Sequence, residues 1–136
     1  MKKRSFCFLL LLSLVLLPGC QPAQQNISLE ESARRSLADA DSFTAYTLED
    51  LYDLTGIAAD DYTEAVFLRD SDTLSGREII LLRAKNAETF RSAKEALEQY
   101  LSQRKEETRD YLPEAYHRLS QAKVEENGLE LRLVIE

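Results

Sequence analysis

Three carboxylates that are close in the sequence come nearest to a catalytic pair. Asp60 and Asp61 are adjacent, and Glu64 follows at the start of a predicted strand. Two carboxylates on either side of a glycosidic bond can hydrolyse it, one of them as the acid. Acidic runs of this kind are more often solvated turns. We therefore expect a solvated turn here, and a hydrolase of cell-wall glycan is the alternative function.

The sequence offers little for nucleophilic or metal chemistry. His117 is the single histidine, and no Gly-x-Ser-x-Gly motif accompanies it. Zinc needs three or four nitrogen or sulfur ligands, which His117 and Cys20 cannot provide. The acidic stretch 70–76 lacks the residues that a calcium loop requires at its fifth, sixth and twelfth positions, and it predicts a hairpin loop instead. We expect no catalytic residue, no metal and no cofactor.

An aromatic group follows the longest helical pattern of the chain. Tyr111, Pro113, Tyr116 and His117 lie within seven residues. Tyrosine offers a large contact area at a low entropic cost, so these four residues form the candidate recognition surface. The alternative is a packing corner at which the chain turns from helix to sheet.

The N-terminal segment has the pattern of a secretory signal. Lys2, Lys3 and Arg4 precede an apolar run over 6–17 that is interrupted by Ser13. As a helix, residues 5–17 would reach roughly 20 Å, which is short of the ~30 Å hydrocarbon core of a bilayer. We therefore expect a signal peptide over 1–19.

The residues that end this run, Leu17-Pro18-Gly19-Cys20, resemble the bacterial lipobox, with Pro18 as the departure from its pattern. The resemblance implies that Cys20 is lipidated and becomes the first mature residue. The protein would then be anchored on the outer face of the cytoplasmic membrane, since two acyl chains attach a protein stably. Ordinary signal cleavage and an uncleaved anchor helix are the alternatives.

Composition limits the mature part of the chain. Residues 20–27 are expected to be a lipidated cysteine and a flexible tether, and residues 28–136 a single domain. Without Lys2, Lys3 and Arg4 the chain has 14 Lys plus Arg against 24 Asp plus Glu, a formal charge of −10. This charge argues against nucleic acid as a partner and against a domain that lies flat on anionic lipid.

Helical periodicity and capping residues predict three helices. Ser28 and Glu31 form a capping box before a short amphipathic helix over 29–39. Thr47 and Gly56 bracket a second short helix. A long helix begins near 87 and should end near Tyr111, because a proline follows Leu112.

Two hairpins complete the predicted elements. Strands over 61–70 and 76–84 are joined by the polar loop, and the apolar run 79–82 predicts a strand covered on both faces. Near the C-terminus, Asn127-Gly128 predicts a type I′ turn that pairs Glu126 with Leu129 and Val124 with Leu131.

These elements predict an α+β fold. We expect an antiparallel or mixed sheet of about four strands, formed by the two hairpins, with the long helix packed across it. The two short N-terminal helices should cover the outer side of the second strand.

The whole pattern resembles a known family. The leader that ends in Gly-Cys, the strand "EAVFLRD", the stretch "GREIILLRAKNAETFRSAKEALEQYL", the motif "YLPEAYHRL" and the closing Asn-Gly hairpin are similar to small lipoproteins that carry domain of unknown function 4358, common in Gram-positive anaerobes. The resemblance implies the fold and the membrane address, and it implies no activity.

The sequence therefore predicts a lipid-anchored, extracytoplasmic module that is not an enzyme. We expect it to bind a protein, a peptide added along a sheet edge, or a cell-wall polymer. Besides the glycan hydrolase, a structural subunit of a membrane complex is the other alternative.

Overall fold

The computed structural model describes residues 27–136, so the predictions for the leader, for Cys20 and for most of the tether lie outside the described residues. Four helices and five strands follow one another in the order α1 (Leu29–Ser36), β1 (Phe43–Ala45), α2 (Leu48–Thr55), β2 (Tyr62–Asp70), β3 (Glu78–Ala84), α3 (Ala87–Thr108), α4 (Pro113–Gln121), β4 (Val124–Asn127) and β5 (Glu130–Ile135).

The five strands form one antiparallel sheet in the order β1-β2-β3-β5-β4. The predicted α+β class with one long helix is confirmed, but the expected count of four strands was wrong. The additional strand is β1, in which Phe43 pairs with Asp70 and Ala45 with Leu68. A strand of three residues is too short to show alternation, and its pairing with β2 depends on contacts that are distant in sequence.

The central strand β3 is buried on both faces, as its unbroken apolar run predicted. Ile80 and Leu82 belong to the core on the side of α3, whereas Ile79 and Leu81 belong to the core on the side of α1. All four side chains are at most 1% exposed. The sheet is therefore the middle layer of three.

The two short N-terminal helices are present, but they cover opposite faces of the sheet. Only α1 covers the outer face, through Leu29 and Ala33. Leu51 of α2 is buried in the cluster beneath α3. The prediction that both helices share one side was wrong for α2, because β1 lies between them and carries the chain past the edge of the sheet.

The stretch after α3 is also helical, which was not predicted. Helix α3 ends at Thr108, and α4 begins at Pro113. Helix α3 therefore ends three residues before the predicted Tyr111, and Pro113 starts the next helix, because a residue without an N–H group is well suited to the first helical position. Ala115 and Leu119 are the buried residues of α4.

The C-terminal hairpin has a register different from the predicted one. Asn127 pairs with Glu130, so that Gly128 and Leu129 form the turn. A type I′ turn needs a positive φ at both central residues, and among the described residues only glycines have one. The observed register sets Glu125 directly opposite Arg132. The predicted register would have set Glu125 opposite another glutamate, which is unfavourable.

The domain has two distinct ends. The backbone N–H of Leu29 donates to Glu64 at the start of β2, and the turn at Leu129 lies at the same end of the sheet. The loop 71–77 and the connection between α3 and α4 lie at the other end, where Gly76 packs against Ala115. We call these the Leu29 end and the Tyr111 end.

Gly76 packs closely against α4 at the Tyr111 end. Its φ is +74°, and a Cβ atom there would lie 2.7 Å from the Cβ of Ala115. We expect Gly76→Ala to lower the free energy of unfolding by about 2–4 kcal/mol through strain and overpacking. Urea denaturation measures this change.

Gly56→Ala is the matched control, because Gly56 has a similar φ of +73° and a Cβ atom added there would have no neighbouring atom within 4 Å. It should cost only the backbone strain of about 1–2 kcal/mol. Equal losses in the two variants would contradict the close contact between the loop and α4.

Candidate functional site

The four residues of the candidate recognition surface lie at the Tyr111 end, and they differ in exposure. Tyr111 is 83% exposed and precedes α4, whereas Pro113 is the first residue of that helix. Tyr116 is half-buried and His117 is exposed. Residues 113, 116 and 117 have the spacing that places side chains on one side of a helix.

The end of α3 determines where Tyr111 lies. The Thr108 hydroxyl donates to the carbonyl oxygen of Arg104 over 2.9 Å, and the carbonyl oxygen of Thr108 accepts from the Leu112 N–H over 2.9 Å. Tyr111 is thus held in a tight connection with its ring in solvent. Since Ala115 and Leu119 provide the buried contacts of α4, a packing corner does not account for Tyr111 or His117.

The loop between β2 and β3 adds an apolar residue to this end. Leu74 is 64% exposed, more than any other described large apolar residue except Tyr111. The carbonyl oxygen of Ser75 lies 3.5 Å from Nη1 of Arg118 on α4, and Gly76 contacts Ala115. We define the end surface as Leu74 together with the four predicted residues, Tyr111, Pro113, Tyr116 and His117.

His117 has a local partner on its own helix. Its Nε2 lies 3.2 Å from Nε2 of Gln121, one turn further along α4. This contact joins two exposed side chains. His117 is therefore a surface residue whose imidazole contacts an amide side chain.

A buried ionic cluster lies at the same end, at the start of β3. Glu78 is fully buried, and the Tyr100 hydroxyl donates to its Oε2 over 3.0 Å. Nε of Arg69 lies 3.5 Å and Nε of Arg104 lies 3.9 Å from the same oxygen. The cluster ties α3 to β2 and β3 close to where α3 ends.

Burial dominates the electrostatics of this cluster. Desolvation raises the pKa of Glu78 above its ordinary value, while Arg104, Tyr100 and Arg69 oppose the rise. Desolvation, followed by the charge of Glu78, also raises the pKa of Tyr100. The guanidinium of Arg69 is further held over the rings of Tyr46 and Phe67, 5.5 Å and 5.9 Å from their centroids.

Sequence reasoning missed Glu78, although a signal was present. In a strand, alternate residues share a face. Glu78 therefore shares the face of Ile80 and Leu82, which is the core beneath α3. A charged residue in phase with the core predicts a buried carboxylate that needs cationic partners.

The three carboxylates that suggested a glycan hydrolase have separate structural contacts. The Asp60 side chain is fully exposed, 4.0 Å from Nζ of Lys85. Asp61 accepts from the Ala58 N–H over 3.2 Å, as in a cap. Glu64 accepts from the Leu29 N–H over 2.7 Å and from Arg83 over 2.9 Å. Asp61 and Glu64 thus each accept a hydrogen bond from a backbone N–H group, whereas Asp60 lies in solvent.

Neither a metal cluster nor a membrane-spanning helix is found in the described part of the chain. No group of three or more His, Cys, Asp or Glu side chains within 27–136 is arranged to hold a metal ion. No helix within the same residues is both long enough and apolar enough to cross a bilayer. A loop does join the paired strands β2 and β3 where the hairpin loop over 70–76 was predicted, and Asp70 at the end of β2 binds Arg77 over 2.9 Å.

A family model described as Domain of unknown function (DUF4358) matches residues 36–136. The chain belongs to this family. The match covers the last residue of α1 and every later element of the DUF4358 domain, including the whole sheet and the end surface. No curated protein and no solved structure matches the chain.

The pH dependence of stability tests the burial of Glu78 in this DUF4358 domain. Because its pKa in the folded state is raised, the folded protein keeps a proton that the unfolded chain has already lost. Stability should therefore fall as the pH rises from about 4.5 through the raised pKa. Relative to Glu78→Gln, which cannot ionise, the wild type should lose about 1.4 kcal/mol for each pH unit that separates the folded from the unfolded pKa.

Urea denaturation at a series of pH values from acid to neutral measures the difference between the two proteins. Glu95→Gln, on the exposed face of α3, is the control and should leave the pH profile of the wild type unchanged. A wild type that gains stability over Glu78→Gln as the pH rises would contradict the prediction. It would mean that the arginines outweigh burial and lower the pKa.

Proposed function

We propose that this protein is a lipid-anchored, extracytoplasmic interaction module that binds a protein partner through its end surface and catalyses no reaction. The single observation that carries the proposal is the position of the end surface. Its two most exposed apolar residues, Leu74 and Tyr111, lie at the end of the domain opposite to the one at which the chain enters it.

The sequence before the domain supports the anchor. A basic start, an apolar run too short to span a bilayer, and Leu17-Pro18-Gly19-Cys20 are together typical of a bacterial lipoprotein. Lipidation of Cys20 would attach the protein to the outer face of the cytoplasmic membrane. Small lipoproteins of Gram-positive bacteria that carry this domain would have the same arrangement.

Chain length then orients the domain. Residues 21–27 reach at most about 25 Å when fully extended. Strand β2 has nine residues and is about 30 Å long. Under the proposal the Leu29 end stays near the bilayer, and the end surface is the part of the domain that faces outward. The charge of −10 also opposes contact between the domain and anionic lipid.

The chemistry of the end surface favours a protein as the partner. Leu74 is aliphatic, Tyr111 is aromatic, and both are exposed side chains in turns. A few exposed large side chains surrounded by polar residues can provide most of the binding energy of a protein interface. Glycan recognition would instead require polar side chains that converge around an aromatic platform.

The anchor is tested by mass spectrometry of the protein extracted from bacterial membranes. We expect a mature chain that begins at Cys20 and carries a diacylglycerol thioether on its sulfur. Cys20→Ala should keep the leader or be lost from the membrane fraction. An unmodified Cys20, or an intact Met1 in the wild type, would refute the anchor.

The partner is tested by cross-linking in intact membranes. We expect one specific cross-linked protein, and the double substitution of Leu74→Ser with Tyr111→Ser should reduce its yield by about tenfold or more. Leu129→Ser is the matched control, because Leu129 is an exposed leucine at the opposite end.

Three results would contradict this proposal, and a fourth would define the kind of partner. If the yield falls equally with Leu129→Ser, the end surface is not the contact. If no protein is captured but purified cell-wall glycan binds and is lost in the double variant, the partner is a polymer. A glycan that is cleaved would restore the hydrolase alternative. A partner present in fixed stoichiometry would support a structural subunit that uses the same surface.

A further inference from the structure

We propose a second binding site, along the free edge of β1, that accepts an extended segment of a basic protein as an additional strand. This inference does not depend on the lipid anchor or on the end surface. It is derived from the hydrogen-bond register of β1, from a cleft beside that strand, and from the charge of the surrounding sequence.

The register leaves backbone groups of β1 free for a further strand. The Tyr46 N–H donates to Phe67 over 2.8 Å, and the Ser42 carbonyl oxygen accepts from Ser71 over 2.9 Å. In an antiparallel pair, alternate residues bond to the partner strand. Thr44 is thus in phase with Ser42 and Tyr46 and faces β2, whereas the backbone groups of Phe43 and Ala45 point outward.

Part of this outward edge has no partner within the described residues. The Phe43 N–H donates to Ala40. Among residues 27–136, no hydrogen bond reaches the Phe43 carbonyl oxygen or the N–H and carbonyl oxygen of Ala45. Ala45 is also exposed. These three groups are the donors and acceptors that an added strand uses.

A cleft of about 420 Å³ lies beside this edge. It is lined by residues 44–47, by Asp50 in the first turn of α2, and by Asp70 and Ser71 at the end of β2. Leu48 and Tyr52 on α2, the helix that follows β1, are about half exposed, at 45% and 53%. An added strand would therefore find free backbone groups along β1 and a cleft next to that strand.

Charge identifies the occupant. Residues 39–53, which include β1 and its neighbours in the sequence, contain five acidic residues and no Lys, Arg or His. Arg69 and Arg77 lie over the rings of Tyr46 and Phe43, and their charges are balanced by Glu78 and by Asp39 with Asp70. The surroundings of β1 are therefore acidic, and they favour a segment rich in Lys or Arg.

The same charge disfavours a second copy of this chain as the occupant. Pairing β1 with β1 of another molecule would bring the acidic residues that flank the two strands close together, and their like charges repel. The short length of β1 also limits pairing by backbone groups alone, as is common for edge strands that avoid self-association. Side-chain contacts with a basic partner would supply the remainder.

The test uses the full chain in detergent and a short peptide of alternating Lys and Val. The peptide is titrated into the protein, and the amide signals of the protein are followed by NMR to give the affinity. We expect saturable binding with shifts concentrated at residues 43–47. A peptide of alternating Glu and Val should bind at least about tenfold more weakly. A Lys–Val peptide that is N-methylated along one edge loses the strand hydrogen bonds but keeps its charge, and it should bind equally weakly.

Ala45→Pro is the variant that tests the edge from the protein side. It removes the outward N–H, while the ladder bonds to β2 use Thr44 and Tyr46. We expect the affinity for the Lys–Val peptide to fall by about tenfold. Ala45→Val keeps the N–H group and should bind like the wild type. Unchanged shifts in the core would show that the proline variant is folded, and the N-methylated peptide gives the same test without altering the protein.

Three results would overturn the proposal. Equal binding of the methylated and unmethylated Lys–Val peptides would mean that charge alone attracts the peptide. Equal affinity of the wild type and a folded Ala45→Pro would mean that the edge is not used. A dimer in sedimentation equilibrium that Ala45→Pro dissociates would mean that the edge pairs with a second copy of this chain.

Discussion

The burial of β3 on both faces is the constraint on which the rest of the structure depends. Four consecutive apolar residues, Ile79 to Leu82, send side chains alternately to the two faces and need a cover on each. Burying one such side chain contributes about 1.5–3 kcal/mol. The cover on one face is α1, and on the other it is α3 with contributions from α2 and α4. A small domain buries a limited share of its surface on folding. Its large apolar side chains are therefore needed in the two cores on either side of the sheet.

This arrangement determines which parts of the surface remain for binding. The faces of the sheet are occupied by helices, so exposed apolar side chains are found at the ends of the strands and on α2. The short edge strand β1 is likewise uncovered on its outer side. A charged residue buried between the sheet and α3 needs polar partners, and Glu78 has two arginines and a tyrosine around its carboxylate. The functional candidates are therefore turns and edges held by a rigid centre.

The elements with strong local patterns were predictable from the sequence. The long stripe of α3, the caps at Ser28 and Thr47, and the strands β2 and β3 all lie close to their predicted positions. Each of these depends on residues within a few positions of one another. The capping box of Thr47 and Asp50 is an example, with both of its hydrogen bonds present.

What could not be predicted depends on contacts between distant residues. The strand β1 exists because Phe43 pairs with Asp70, and no local pattern marks it. Pro113 predicts the end of a helix but not the start of α4, because the packing of Ala115 against Gly76 is not visible in the sequence. The side of the sheet on which α2 lies and the exposure of Tyr111 follow from the same long-range packing. Residue types alone could suggest the candidates for recognition, but only the fold shows which of them face solvent.

The contact between Leu29 and Glu64 has a mechanical consequence. The Glu64 carboxylate binds both the first N–H of α1 and Arg83 on the central strand, so a pull on the chain at Leu29 passes directly into the sheet. Under such a pull the load would be shared by α1 and, through this one carboxylate, by β2 and β3.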